Sequence, residues 1–219
     1  MMPETMISPV EKKKTAMQLL MGGKSSRMGT SKAMLSYKGV PFWKHITEEM
    51  SHCGPVYLSV AKVPQTEEET ETTPWSASVW EELKQYPLIT DEVEAIGPMG
   101  GIYSALRQIK EDAVFVSACD MPRMNRAYIQ YLLDTWNRIS RTEDWDALMI
   151  RGAEGRIYTT AGIYHKCLLP AIHTRIQEGN YRMMVLLRQS KIYYIEETAL
   201  GSLGNALTNV NTLEDYKNL

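Results

Sequence analysis

Long hydrophobic runs are missing from this 219-residue sequence, because charges interrupt every apolar stretch. None approaches the roughly eighteen residues that a membrane span needs, which excludes a membrane-embedded role and predicts a soluble protein. Residues 1–15 lack an apolar run of signal-peptide length and carry Glu4, Glu11 and the basic cluster Lys12, Lys13 and Lys14. They read as a flexible N-terminal tail, and residues 16–219 as one domain. Cysteines are few: Cys53, Cys119 and Cys167 form no C-x-x-C pair, which excludes a disulfide framework and suits a reducing cytoplasm. His45, His52, His165 and His173 form no H-x-x-x-H pair or His/Cys cluster, so zinc is not signalled. An excess of one charge is also lacking, with 24 Lys+Arg against 26 Asp+Glu. That near-balance argues against partners gripped through a broad basic face, namely nucleic acid and anionic membrane. A small ligand is the expected partner.

What is present is alternation. At 44% apolar residues, the chain can bury one α/β core. Residues 16–21 form a short apolar run that stops at Gly22-Gly23, as a buried parallel strand entering a turn does. Residues 34–39 read as an extended excursion turning at Lys38-Gly39, and Pro41 opens a helix through Trp43, Ile46 and Met50. Further strands are predicted at 56–60, 86–89, 114–118, 147–150, 157–164 and 191–195. Helices are predicted at 102–109, 127–139 and 168–176, with an apolar cluster at 183–187 and, at 66–73, a solvated loop or helix edge. Strands alternating with helices, without internal repeats, predict a mostly parallel sheet covered on both faces. Ligands of such sheets bind beyond the carboxyl ends of the strands.

The loop after the first strand, Gly22-Gly23-Lys24-Ser25-Ser26-Arg27-Met28-Gly29-Thr30-Ser31-Lys32, has the ingredients of a phosphate cradle. Glycines let backbone N–H groups approach an anion, while Arg27 and Lys32 can neutralise a triphosphate. The order matches neither G-x-x-x-x-G-K-[ST] nor G-x-G-x-x-G, which weakens P-loop and dinucleotide-binding readings. An ordinary turn with exposed cations remains the bland alternative. Two aspartates follow later strands. Asp91 precedes Gly97-Pro98-Met99-Gly100-Gly101-Ile102, and Asp120 ends the cleanest strand in Ser117-Ala118-Cys119-Asp120-Met121-Pro122. An isolated Asp at a strand end is most often a turn former or helix cap, but the carboxylate of Asp120 could also hold Mg²⁺, which prefers oxygen ligands shared with phosphates.

The order of residues in these three places, with Asn209-Val210-Asn211-Thr212-Leu213-Glu214-Asp215 near the end, resembles the MobA-like nucleotidyltransferases. The resemblance covers almost the whole chain, and Gly22-Gly23 is similar to the molybdenum-cofactor guanylyltransferase form. It implies a single-domain, Rossmann-like nucleotide-diphospho-sugar transferase fold. It also implies transfer of GMP from GTP to Mo-molybdopterin with Mg²⁺ as cofactor. Nucleotide-binding roles are implied for Leu20, Met21, Gly22, Gly23, Lys32, Ser59, Asp91 and Asp120, and catalytic roles for Arg27, Lys32 and Asp120. Asp120 is the implied metal ligand. Arg182, Asn209 and Asn211 are candidates for the pterin side, with capping by Asn211 or Thr212 and an exposed helix-start cation at Arg182 as alternatives. Molybdoenzyme apoproteins or other cofactor-biosynthesis proteins are the implied protein partners. The chain departs from the family pattern at Met21, where alanine is usual, at Ser59, at Leu213 and in Tyr158-Thr159-Thr160. A cytidylyltransferase, another small-molecule nucleotidyltransferase and a non-catalytic nucleotide-binding delivery or regulatory protein are the competing functions.

Overall fold

Strands apolar on both sides need cover on both sides, and this requirement organises the chain. The structure is a computed structural model and describes residues 14–22 and 31–219. Gly23, Arg27 and nearly all of the tail predicted for 1–15 lie outside the described residues. Strand β1 (Thr15–Leu20) leads to the cradle segment. The chain then makes a 3-10 turn at Lys32–Met34 and a small hairpin of β2 (Ser36–Tyr37) and β3 (Val40–Pro41). Positive φ at Lys38 (52°) and Gly39 (85°) makes that hairpin turn. Next come α1 (Phe42–Ser51), β4 (Val56–Val60), α2 (Glu67–Glu71), α3 (Ala77–Leu83), β5 (Leu88–Thr90), α4 (Pro98–Gln108) and β6 (Ala113–Ala118). The remainder is α5 (Arg126–Ile139), β7 (Ala147–Arg151), β8 (Ala161–His165), α6 (Leu169–Gln177), α7 (Met183–Arg188), β9 (Ile192–Glu196), a 3-10 segment Glu197–Leu207 and α8 (Leu213–Lys217).

The main sheet has seven strands in the order β5-β4-β1-β6-β8-β7-β9. All neighbours pair in parallel except β8, which is antiparallel to both β6 and β7. Alternate residues of each strand feed separate cores. Met17, Leu19, Phe115, Leu148 and Ile150 pack with α1, α3, α5 and the 3-10 segment on one face. Ala16, Leu20, Val114, Val116 and Met149 pack with α4, α6 and α7 on the other. No helix among the described residues is long and apolar enough to cross a membrane.

Two expectations shift, and a third narrows to one of its alternatives. The helix expected at 102–109 starts at Pro98, because Gly97 takes a positive φ of 69° and proline suits the first helical position. The strand expected over 157–164 begins only at Ala161. Residues before it bend back, with Tyr158 N–H donating to Ile150 O at 3.1 Å. The solvated stretch at 66–73 contains α2, capped by the Thr66 side chain on Glu69 N–H.

Candidate active site

The carboxyl ends of β1, β4, β5 and β6 meet along one edge, locked together at backbone level. Met21 N–H donates to Ser59 O at 2.9 Å, Asp91 N–H to Val60 O at 3.1 Å, and Cys119 N–H to Leu20 O at 3.3 Å. Leu20, Met21, Ser59, Asp91 and Asp120, chosen from four separate segments, therefore share one edge. Gly22 closes the described part of the loop there.

At the tip of β6, the Lys32 ammonium lies 3.6 Å from the Asp120 carboxylate and donates to Asn211 Oδ1 at 2.8 Å. Lys32 reaches this point from the 3-10 turn, which Ala33 anchors in the core. Asn211 arrives because Val210 N–H donates to Asp120 O at 2.8 Å, laying residues 209–211 beside the aspartate. Burial raises the Asp120 carboxyl pKa, and the Lys32 charge opposes that shift. Cys119 is buried and its thiol is pushed up to about 12, so it is a packed thiol and not a nucleophile.

A second group lies at the carboxyl ends of β4 and β5. Ser59 Oγ donates to Asp91 Oδ1 at 3.4 Å. Desolvation lifts the Asp91 carboxyl to about 6, with Glu94 adding to the shift and the Ser59 hydrogen bond opposing it. Gly101 packs directly against this group. A Cβ there would lie 2.6 Å from Leu20 Cδ2, 3.1 Å from Ser59 Oγ and 3.6 Å from Asp91 Oδ1. Buried Gln18 holds this close approach by donating to Gly101 O at 2.7 Å. Ser104 Oγ accepts from Glu92 N–H at 2.8 Å and fixes the loop that carries Asp91.

The terminal motif divides by role. Thr212 caps α8 in a reciprocal capping box with Asp215, leaving Asn211 to bind Lys32. Asn209 Oδ1 is buried without a hydrogen-bond partner among the described residues. Arg182 is the exposed N-cap of α7, and no hydrogen bond among the described residues joins it to Lys32, Asp120 or Asn211. A polar cavity of about 330 Å³ beside α1, lined by residues including Lys38, His45, Glu49 and Arg123, contains none of the site residues. The residues singled out in the sequence gather instead at the open strand edge.

Sequence reasoning missed Gln18, Ser104 and the bond between Trp75 and Ser31. Buried Trp75 donates its indole N–H to Ser31 Oγ at 3.2 Å, immediately before Lys32, and packs edge-on against Trp80 at 5.1 Å. No local pattern pairs a tryptophan with a serine 44 residues away.

A largely parallel sheet with Lys32 and Asp120 at the tip of its central strand and Asp91 after its marginal β5 is the arrangement of an α/β enzyme of the nucleotidyltransferase class. The chain belongs to the family of MobA-like NTP transferase domains, whose model matches residues 18–192. It is 30% identical over 203 residues to a probable molybdenum cofactor guanylyltransferase of Flavobacterium johnsoniae, covering 92% of this chain and 94% of that protein. It is 29% identical over 204 residues to an Aquifex aeolicus protein of the same name, covering 92% and 88%. The crystal structure of molybdopterin-guanine dinucleotide biosynthesis protein A from Archaeoglobus fulgidus superposes with a TM-score of 0.75 over 93% of this chain and 95% of that one. At 19% identity it shows the shared fold.

Proposed function

We propose that the chain acts in the cytoplasm as a molybdenum cofactor guanylyltransferase, moving GMP from GTP to the terminal phosphate of Mo-molybdopterin and releasing pyrophosphate. The observation that carries this reading is the Lys32–Asp120–Asn211 cluster at the central strand tip, flanked by the packed Ser59–Asp91–Gly101 group. Whole-length similarity to proteins bearing that name supports it.

The acceptor phosphate is already anionic at neutral pH, so attack on the α-phosphorus needs no general base. Alignment and charge stabilisation are what the chain supplies. Lys32, held between Asp120 and Asn211, is aimed at the strand tip where the phosphates gather, and Arg27 is proposed to assist it. The backbone of Leu20, Met21, Gly22 and Gly23 is proposed to line the nucleotide. Ionised Asp91 accepts on both oxygens, which suits the paired N–H donors of guanine better than the base edge of cytosine.

The donor set fits Mg²⁺. Asp120 offers a half-buried carboxylate, and Asn209 Oδ1, without a partner among the described residues and one residue before the Val210 that pairs with the Asp120 backbone, is a second hard oxygen. Asp120 would hold the ion with help from Asn209, and bound Mg²⁺ supplies charge neutralisation at phosphate oxygens. The decisive experiment incubates the purified protein with GTP, Mg²⁺ and Mo-molybdopterin and identifies the product by mass spectrometry. A guanine dinucleotide with pyrophosphate release is expected. Preference for CTP in a parallel reaction, or nucleotide binding without turnover, would overturn the assignment.

A further inference from the structure

The carboxyl edge continues past Asp120 over β8, β7 and β9, where the mechanism so far uses nothing. β6 is the middle strand of the seven, with β5 at one margin and β9 at the other. Two successive antiparallel pairings, β6 with β8 and β8 with β7, restore strand direction, so β7 and β9 end at the same edge as β6. Asp91 follows β5, Asp120 follows β6 and Glu197 follows β9. Each marginal strand is three spacings from β6, roughly 14 Å.

Glu197 is a half-buried carboxylate. Both of its oxygens lie 3.1 Å from the Tyr158 hydroxyl, which donates to it. A phenol carries one proton, so the carboxylate retains most of its acceptor sites. No ion pair neutralises Glu197 among the described residues, whereas neighbouring Glu196 is taken by Arg151. The Arg156 guanidinium lies over the Tyr158 ring, 4.6 Å from its centre. Gly152 leaves room for the pair, since a Cβ there would come within 2.6 Å of Glu197 Oε2 and 3.0 Å of Tyr158 Cε2. The segment is tied to the catalytic turn through Thr160, whose hydroxyl lies 3.9 Å from Met121 Sδ.

We propose that Glu197, aimed by Tyr158, reads the 2-amino-4-oxopyrimidine edge of the acceptor's pterin. The inference rests on the acceptor assigned above. That edge presents N3–H and an amino group side by side, and an ionised carboxylate accepts both in parallel. Guanine presents the same edge, so the sheet holds one carboxylate for each heterocycle. Asp91 lies on the nucleotide flank, Glu197 on the acceptor flank, and the joined phosphates lie at Lys32 and Asp120 between them. Tyr158 is a positioning residue that orients Glu197.

The test compares Glu197→Gln, Tyr158→Phe and Gly152→Ala with the unmodified protein. KM for Mo-molybdopterin and for GTP are measured separately, and thermal melts establish folding. Without nucleotide, 6-hydroxymethylpterin and its 2-oxo analogue 6-hydroxymethyllumazine are titrated by fluorescence. Glu197→Gln is expected to raise the acceptor KM about tenfold or more while leaving KM for GTP unchanged. The unmodified protein is expected to prefer the pterin, and Glu197→Gln to abolish the preference. Tyr158→Phe and Gly152→Ala, which keep the carboxylate but misplace it, are expected to show smaller shifts in the same direction and provide the readout should Glu197→Gln fail to fold. An unchanged acceptor KM with intact pterin preference overturns the proposal alone, since acceptor turnover persists. A rise confined to GTP assigns the corner to guanine and also overturns it. If the unmodified protein neither binds the pterin nor uses Mo-molybdopterin, the acceptor assignment fails and the proposal with it.

Discussion

Replacing Asp91 by asparagine should pull stability and nucleotide affinity in opposite directions. In the folded chain the carboxyl stands at about 6, against an ordinary value of 3.8, because burial outweighs the Ser59 hydrogen bond. A raised carboxyl pKa means that the neutral form is favoured by folding. Its stabilising contribution is complete below the unfolded value and is lost as pH rises through about 6. Near pH 7.5 the fold therefore carries a partly desolvated charge, and Asp91→Asn is expected to raise the melting temperature there. The gain should amount to roughly 2–4 °C for each kcal/mol recovered, narrowing as pH falls toward about 5. Affinity for guanine nucleotide moves the other way. A carboxyl titrating near 6 is about 97% ionised at pH 7.5 and about 10% at pH 5. Recognition that needs the anion should therefore weaken about tenfold over that interval. Isothermal calorimetry with GTP on both proteins measures this, and the affinity ratio between them cancels the ionisation of the nucleotide's own phosphates. A ratio that does not change with pH would refute the role of Asp91 ionisation in recognition. An unaltered melting temperature at pH 7.5 would refute the burial argument.

Lys32→Ala should lower kcat/KM by about 100-fold or more with an unchanged melt, whereas Asn211→Ala, which removes only the orienting amide at 2.8 Å, should cost about tenfold or less. Steady-state assays of pyrophosphate release compare the two, and equal losses would contradict the division of roles. Gly101→Ala places a methyl group 2.6 Å from Leu20 Cδ2 and 3.1 Å from Ser59 Oγ, so KM for GTP should rise with a smaller change in kcat. Trp75→Phe removes the indole bond to Ser31 and should destabilise by about 1 kcal/mol, read by urea denaturation. Thr212→Ala breaks the capping box of α8 and should cost a similar amount, about 1 kcal/mol.

Strand identities were legible in the sequence because both faces of the sheet are covered, which makes each central strand a short continuous apolar run. The strand at 56–60 coincides with β4, and 114–118 falls within β6. The expectation for 157–164 failed because Tyr158, Thr159 and Thr160 have strand-like chemistry, yet they build the corner before β8. The 3-10 segment Glu197–Leu207 carries a bend at Gly201 (φ 54°), and its mixed composition gives no single periodicity.

By itself the sequence determined the alternating class and the two aspartates that follow strands. It also supplied the cation of Lys32, because apolar periodicity and turn chemistry are local properties of the chain. Tertiary structure alone decided which of these groups meet. Lys32 and Asn211, 179 positions apart, are joined because Val210 pairs with the backbone of Asp120. Asp91 acquires its raised pKa from burial beside Ser59, on a neighbouring strand. Glu197 reaches the same edge as Asp120 because β7 and β9 run in the same direction as β6. Strand order and direction are long-range outcomes of packing, and they place charges that no local pattern can bring together.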